Sequence, residues 1–113
     1  MFNPTTEIRL HLTRGLSWHV KAELFGQVAV HGTLEQDADN HITFSEVAFS
    51  ITHVMSGYRI GEDTVMSLEE ARSVAQALAG IDMDTYWLAG AKDKKVKAAM
   101  KALLKPYERE ATR

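Results

Sequence analysis

At 113 residues, 45% hydrophobic and 25% charged with only two prolines, the chain has the size and composition of one globular domain and lacks the bias of a disordered or low-complexity segment. It contains no cysteine, which excludes disulfides, thiolate nucleophiles and cysteine-ligated zinc and leaves packing alone to hold the fold. The net charge of −2 is unevenly divided: residues 1–91 carry five Lys+Arg against twelve Asp+Glu, a balance of −7, while residues 92–113 carry eight against three, a balance of +5.

The chain opens on Met1-Phe2-Asn3-Pro4-Thr5-Thr6, with no basic stretch leading into an apolar run, and nowhere do about 18 apolar residues follow one another. A cytoplasmic protein without a membrane anchor is expected. From Thr6 to Thr13, apolar Ile8, Leu10 and Leu12 alternate with Glu7, Arg9 and His11, the pattern of a half-buried strand. Beyond Gly15 the alternation resumes, with Trp18, Val20, Ala22 and Leu24 against His19, Lys21 and Glu23, which predicts a hairpin through Gly15. A turn near Phe25-Gly26-Gln27 leads to Val28, Val30 and Leu34, opposed by His31 and Thr33, so three strands form a meander. Glu35 to Asn40 is polar and rich in turn formers, hence a loop. In the strand after it, Ile42 and Phe44 share one phase and Val47, Phe49 and Ile51 the other, which predicts a bulge or break near Ser45-Glu46. The segment from Met55 to Gly61 fits either a short strand or a loop.

Ser67 followed three residues later by Glu70 forms a capping box, and behind it Leu68, Ala71, Val74, Ala75 and Leu78 share one helical face as far as Gly80. Asp82 or Asp84 caps a short helix carrying Tyr86, Trp87 and Leu88, interrupted near Gly90. A last helix is expected from about Asp93 to Lys105, where Pro106 stops it. Residues 1–113 therefore read as a single α+β domain, an antiparallel sheet of three to five strands followed by two or three helices packed on one of its faces.

Catalytic signatures are missing. GxGxxG, GxxxxGK[ST], HExxH and GxSxG are absent, so no catalytic residue and no cofactor is assigned. All five histidines, His11, His19, His31, His41 and His53, lie in the strand half. Pairing of Thr13 with Ser17 would set His11 opposite His19, but two imidazoles without a third ligand are ordinary on an exposed strand, and no metal is assigned. His53, Ser56, Glu62 and Asp63 supply hydrolase residue types without an orienting order. Trp18, Phe25, Phe44, Phe49 and Ile51 are expected in the core. Tyr86 and Trp87 are adjacent and cannot both point inward from one helix, so one of them is a candidate interface anchor.

The last helix carries the sharpest pattern. Successive residues advance by about 100°, so Lys94, Lys97, Lys101 and Lys105 fall within an arc of about 80°, and Val96, Ala99, Met100, Leu103 and Leu104 gather on the remaining side. A second, weaker basic face gathers Arg9, His11, His19, Lys21 and His31 on the polar side of the meander. By elimination the leading expectation is a small non-catalytic protein-binding module, an adaptor or inhibitor that covers an acidic partner surface. A phage-type accessory or anti-defence role is a compositional association that matches no specific family. The alternative is nucleic-acid binding through the lysines, opposed by the −7 body and a pI of 6.2. A symmetric oligomer, with the +5 helix of one copy on the −7 body of another, is the third possibility weighed.

Overall fold

The computed structural model describes residues 1–12, 15–36, 38–39, 41–61, 64–81 and 94–108. Five strands follow one another in an antiparallel meander: β1 (Thr6–His11), β2 (Ser17–Phe25), β3 (Val28–Gln36), β4 (Ile42–His53) and β5 (Arg59–Ile60), in the spatial order β1-β2-β3-β4-β5. Two α-helices are described after them, α1 (Leu68–Leu78) and α2 (Lys94–Leu104), and a 3₁₀ turn over Lys105–Tyr107. The α+β class is thereby established. The short helix expected around Tyr86 to Leu88 lies outside the described residues.

The sheet curls instead of lying flat. Direct β2–β3 pairing is confined to Glu23–Phe25 against Val28–Val30, so the β1–β2 hairpin is free to bend away from β3 beyond that point. Its far end returns to the opposite edge, where the His11 amide donates to the Gly57 carbonyl at 2.7 Å, in the turn between β4 and β5. Glycine is required there: its φ is +76°, and a Cβ would stand 3.0 Å from the Arg9 carbonyl oxygen and 3.1 Å from the His11 nitrogen.

Curling gives the sheet two buried surfaces. On the outer one, Val28, Val30, Phe49, Ile51 and Ile60 meet Ala71, Val74, Ala75 and Leu78 of α1 and Leu104 of α2 in the main core. Inside the curl, Ile8, Leu10, Val20, Ala22 and Ala29 form a second core, flanked by Leu12, Leu34, Phe44 and Val54. Phe49 and Ile51 are core residues as expected, while Phe25 and Phe44 are half-buried against the two clusters. Three apolar strand residues depart from the expected core. Trp18 (43% exposed) shares the inward face with its partner Leu10 but sits on the part of β2 that projects beyond β3; Leu24 (52%) and Val47 (82%) are likewise exposed, the latter in the β4 bulge.

The predicted irregularity near Ser45-Glu46 is present. The β3–β4 register shifts between Gly32 and Leu34, and the Ser45 hydroxyl accepts from the amides of Val47 (3.1 Å) and Ala48 (2.9 Å). A side chain at Gly32 would overlap the Ser45 carbonyl oxygen, so the bulge needs glycine opposite it.

Both cap bonds of α1 form, Glu70 amide to Ser67 hydroxyl at 3.2 Å and Ser67 amide to Glu70 carboxylate at 2.8 Å. The helix is then clamped to β2 by Arg72, which donates to both carboxylate oxygens of buried Glu23 at 2.8 and 2.6 Å and also reaches Glu69 and the Met1 carbonyl. That bidentate bond holds the Glu23 carboxyl below the ordinary carboxylate range, against the opposing effect of burial.

Candidate functional site

α2 lies with its predicted apolar side inward. Leu104 is buried, and Val96, Met100 and Leu103 are half-buried against the main core together with Tyr107. The amphipathic pattern thus finds its partner within the domain. It follows geometrically that the opposite side faces solvent, and Lys94, Lys97, Lys101 and Lys105 are all exposed. The helix stops at Leu104, so Lys105 opens the 3₁₀ turn that Pro106 imposes, one residue earlier than the sequence suggests. Eleven helical residues span about 16 Å. Among the described residues no carboxylate forms a salt bridge with any of these four lysines. The result is a ridge of like charge fixed on a packed helix. Tyr86 and Trp87, the aromatic candidates, lie outside the described residues, as do Glu62, Asp63, Asp82 and Asp84.

The second basic face survives in part. Arg9, His11, His19 and Lys21 are exposed on the outer side of the β1–β2 hairpin. The register sets Arg9 opposite His19 and His11 opposite Ser17, two residues away from the expected pairing, so the two imidazoles do not face each other. A two-residue slip preserves the faces because side chains alternate with period two. His11 packs its ring on Tyr58 instead, with centroids 4.7 Å apart. Among the described residues no three His, Asp or Glu side chains gather as a metal site.

His31 does not belong to that face. It is 2% exposed, because β3 runs through the middle of a sheet covered on both sides: Val28 and Val30 point to the helices, and Ala29 and His31 point into the curl. There Nδ1–H donates to the Gly32 carbonyl (2.8 Å), which leaves Nε2 to accept from the Thr52 hydroxyl at 2.7 Å. Burial pushes the imidazole below its ordinary range, and the nearby Arg59 guanidinium acts in the same sense against the Gly32 bond. Beside it the hydroxyls of Thr33 and Ser50 share a 2.7 Å bond. Sequence reading passed over Ser50, Thr52 and Arg59. The available signal was the composition of Phe49-Ser50-Ile51-Thr52, where the positions alternating with Phe49 and Ile51 hold small hydroxyls in place of the charges of a solvated strand face.

His53 and Ser56 do meet, Nδ1 to Oγ at 2.8 Å. The same Nδ1 accepts from the Ser56 amide (3.2 Å), and the Ser56 hydroxyl accepts from the Tyr58 amide (3.2 Å), so these bonds stitch the β4–β5 turn. Among the described residues no helix is long and apolar enough to cross a membrane.

Comparison with protein families, with curated proteins and with solved structures finds no match for this chain.

Proposed function

We propose that the chain is a small non-catalytic protein-binding domain, acting as an adaptor or inhibitor, that lays the α2 lysine ridge on an acidic partner surface. One observation carries the reading: Lys94, Lys97, Lys101 and Lys105 all face solvent from a helix whose other side is committed to the core. Rigid presentation lowers the ordering cost of binding, and clustered charge steers association with a surface of opposite sign. A protein is favoured over nucleic acid because residues 1–91 carry −7, which repels a phosphate backbone as it approaches.

The test is affinity capture from cell extract, with and without nuclease, using the chain and a variant with all four lysines changed to glutamine. Proteins retained after nuclease by the unaltered chain and lost by the variant support the reading, and their association rate should fall with salt only for the unaltered chain. Nuclease-sensitive retention, with an affinity for duplex DNA whose log-salt slope shrinks by about 0.9 per lysine removed, transfers the ridge to nucleic acid. Identical retention by both proteins reduces the ridge to a solvated helix face.

A further inference from the structure

The inside of the curled sheet is not filled. A cavity of about 540 Å³ lies beside the inner core, within the range of small-molecule sites, about 300–1,000 Å³. Its walls are apolar, from Leu10, Leu12, Leu34 and Ile42, and its polar side holds His31, Ser50 and Thr52. Strand pairing brings these three together: His31 is the direct partner of Ser50, and Thr52 follows two residues after Ser50 on the same face of β4. All three are buried, whereas Leu12, Leu34 and Ile42 are half-buried and Leu16, at the rim, is exposed. A ligand entering past Leu16 therefore meets apolar walls first and hydrogen-bonding groups last.

Most protons on the polar side are already committed. The Gly32 carbonyl can only accept, so His31 Nδ1 carries the ring proton and Nε2 takes the Thr52 hydroxyl proton. Thr52 Oγ1 therefore offers lone pairs and has no proton to give. Thr33 and Ser50 share one bond in which either hydroxyl can donate, so Ser50 can turn its proton or a lone pair toward a ligand. A carboxylate would lose its water here and find no proton at Thr52, whereas a neutral hydroxyl brings the proton that the Thr52 oxygen can accept. Arg59, also on the lining, already donates to the Thr64 carbonyl at 3.2 Å, and a neutral head needs no charge from it.

We propose that this hollow binds a small neutral amphipathic alcohol, its hydroxyl donating to Thr52 Oγ1 and its alkyl chain lying along Leu10, Leu12, Leu34 and Ile42. The site is separate from the α2 ridge and stands without it. Thr52 and Ser50 are held in place by His31 and Thr33, so the polar end is preorganised, and the apolar body supplies affinity in proportion to chain length.

The experiment is a titration of the ¹⁵N-labelled chain, followed by amide shifts, with 1-hexanol, 1-octanol, heptyl methyl ether and octanoate within their aqueous solubility. Shifts centred on His31, Ser50 and Thr52 are expected. 1-Octanol should bind about 15-fold tighter than 1-hexanol, at about fourfold per methylene. The ether is an isomer of 1-octanol that accepts but cannot donate, and it should bind about fivefold more weakly. Octanoate should bind about tenfold or more weakly than 1-octanol. In Thr52→Val the alcohol should lose its advantage over the ether while chain-length dependence remains; the series on the unaltered chain decides alone should the variant fail to fold. No shift at millimolar 1-octanol, ether or octanoate binding as tightly as the alcohol, or shifts confined to exposed Met55 and Val65 would each overturn the proposal.

Discussion

Leu104→Ala is the substitution that most directly tests how α2 is seated. The side chain is 6% exposed and packs in the main core with residues that include Ile60, Met66 and Leu78. Alanine removes three carbons, worth about 2.4 kcal/mol at about 0.8 kcal/mol each, and incomplete collapse of the vacated space raises the expected cost to about 3–4 kcal/mol. Its neighbour Leu103 is only half-buried, so Leu103→Ala should cost about 1 kcal/mol. With a urea slope of about 1.5 kcal/mol/M, the two variants should lose about 2 M and under about 1 M of midpoint. The order matters more than either value. If Leu103→Ala proves the more damaging, α2 is turned by about one residue, or 100°, from the seating described, with Leu103 in place of Leu104 against the main core.

Two further outcomes follow from buried groups. Because burial lowers the His31 pKa below its ordinary 6.5, the unfolded chain binds more protons than the folded one as pH falls through 6.5. Stability should drop below that pH by up to about 1.4 kcal/mol per unit until the folded-state pKa is reached, and urea melts at pH 7.5, 6.5 and 5.5 should show this slope for the native chain and lose it in His31→Gln. An unchanged slope in the variant would assign the acid sensitivity elsewhere; Glu23, whose pKa is lowered from 4.5, loses its contribution only at lower pH. Gly32→Ala forces a Cβ into the Ser45 carbonyl and should cost about 1–3 kcal/mol in thermal melts, and a change under about 0.5 kcal/mol would mean that the bulge moves freely.

Much of the fold was legible because short-range physics sets it. Alternation in Thr6 to Leu24 marked β1 and β2, the phase break at Ser45 marked the bulge, and Ser67 with Glu70 marked the start of α1 to the residue. The lysine pattern likewise reports a helical angle, which sequence alone determines. What it could not report is how the strands pair. Sequence phase alone groups His31 with Arg9, His11, His19 and Lys21, but pairing of Glu23 with Val30 and of Leu24 with Ala29 sets it on the opposite face, with Val20 and Ala22 inside the curl. Glu23 is the same lesson on the other side, a polar-phase residue buried by Arg72, 49 positions away in sequence.

Antiparallel sheets polymerise by recruiting strands at unpaired edges, and natural chains suppress that hazard with short, covered or twisted margins. In this fold one margin is β5, two residues long, and the other is β1, whose end at His11 is occupied by the Gly57 carbonyl. The His11–Gly57 bond thus does more than close the curl. It joins the two vulnerable borders to each other, so that a neighbouring molecule meets few open backbone groups there. Loosening this latch, by any residue at position 57 that rejects positive φ, should turn the sheet into a template for strand exchange and aggregation.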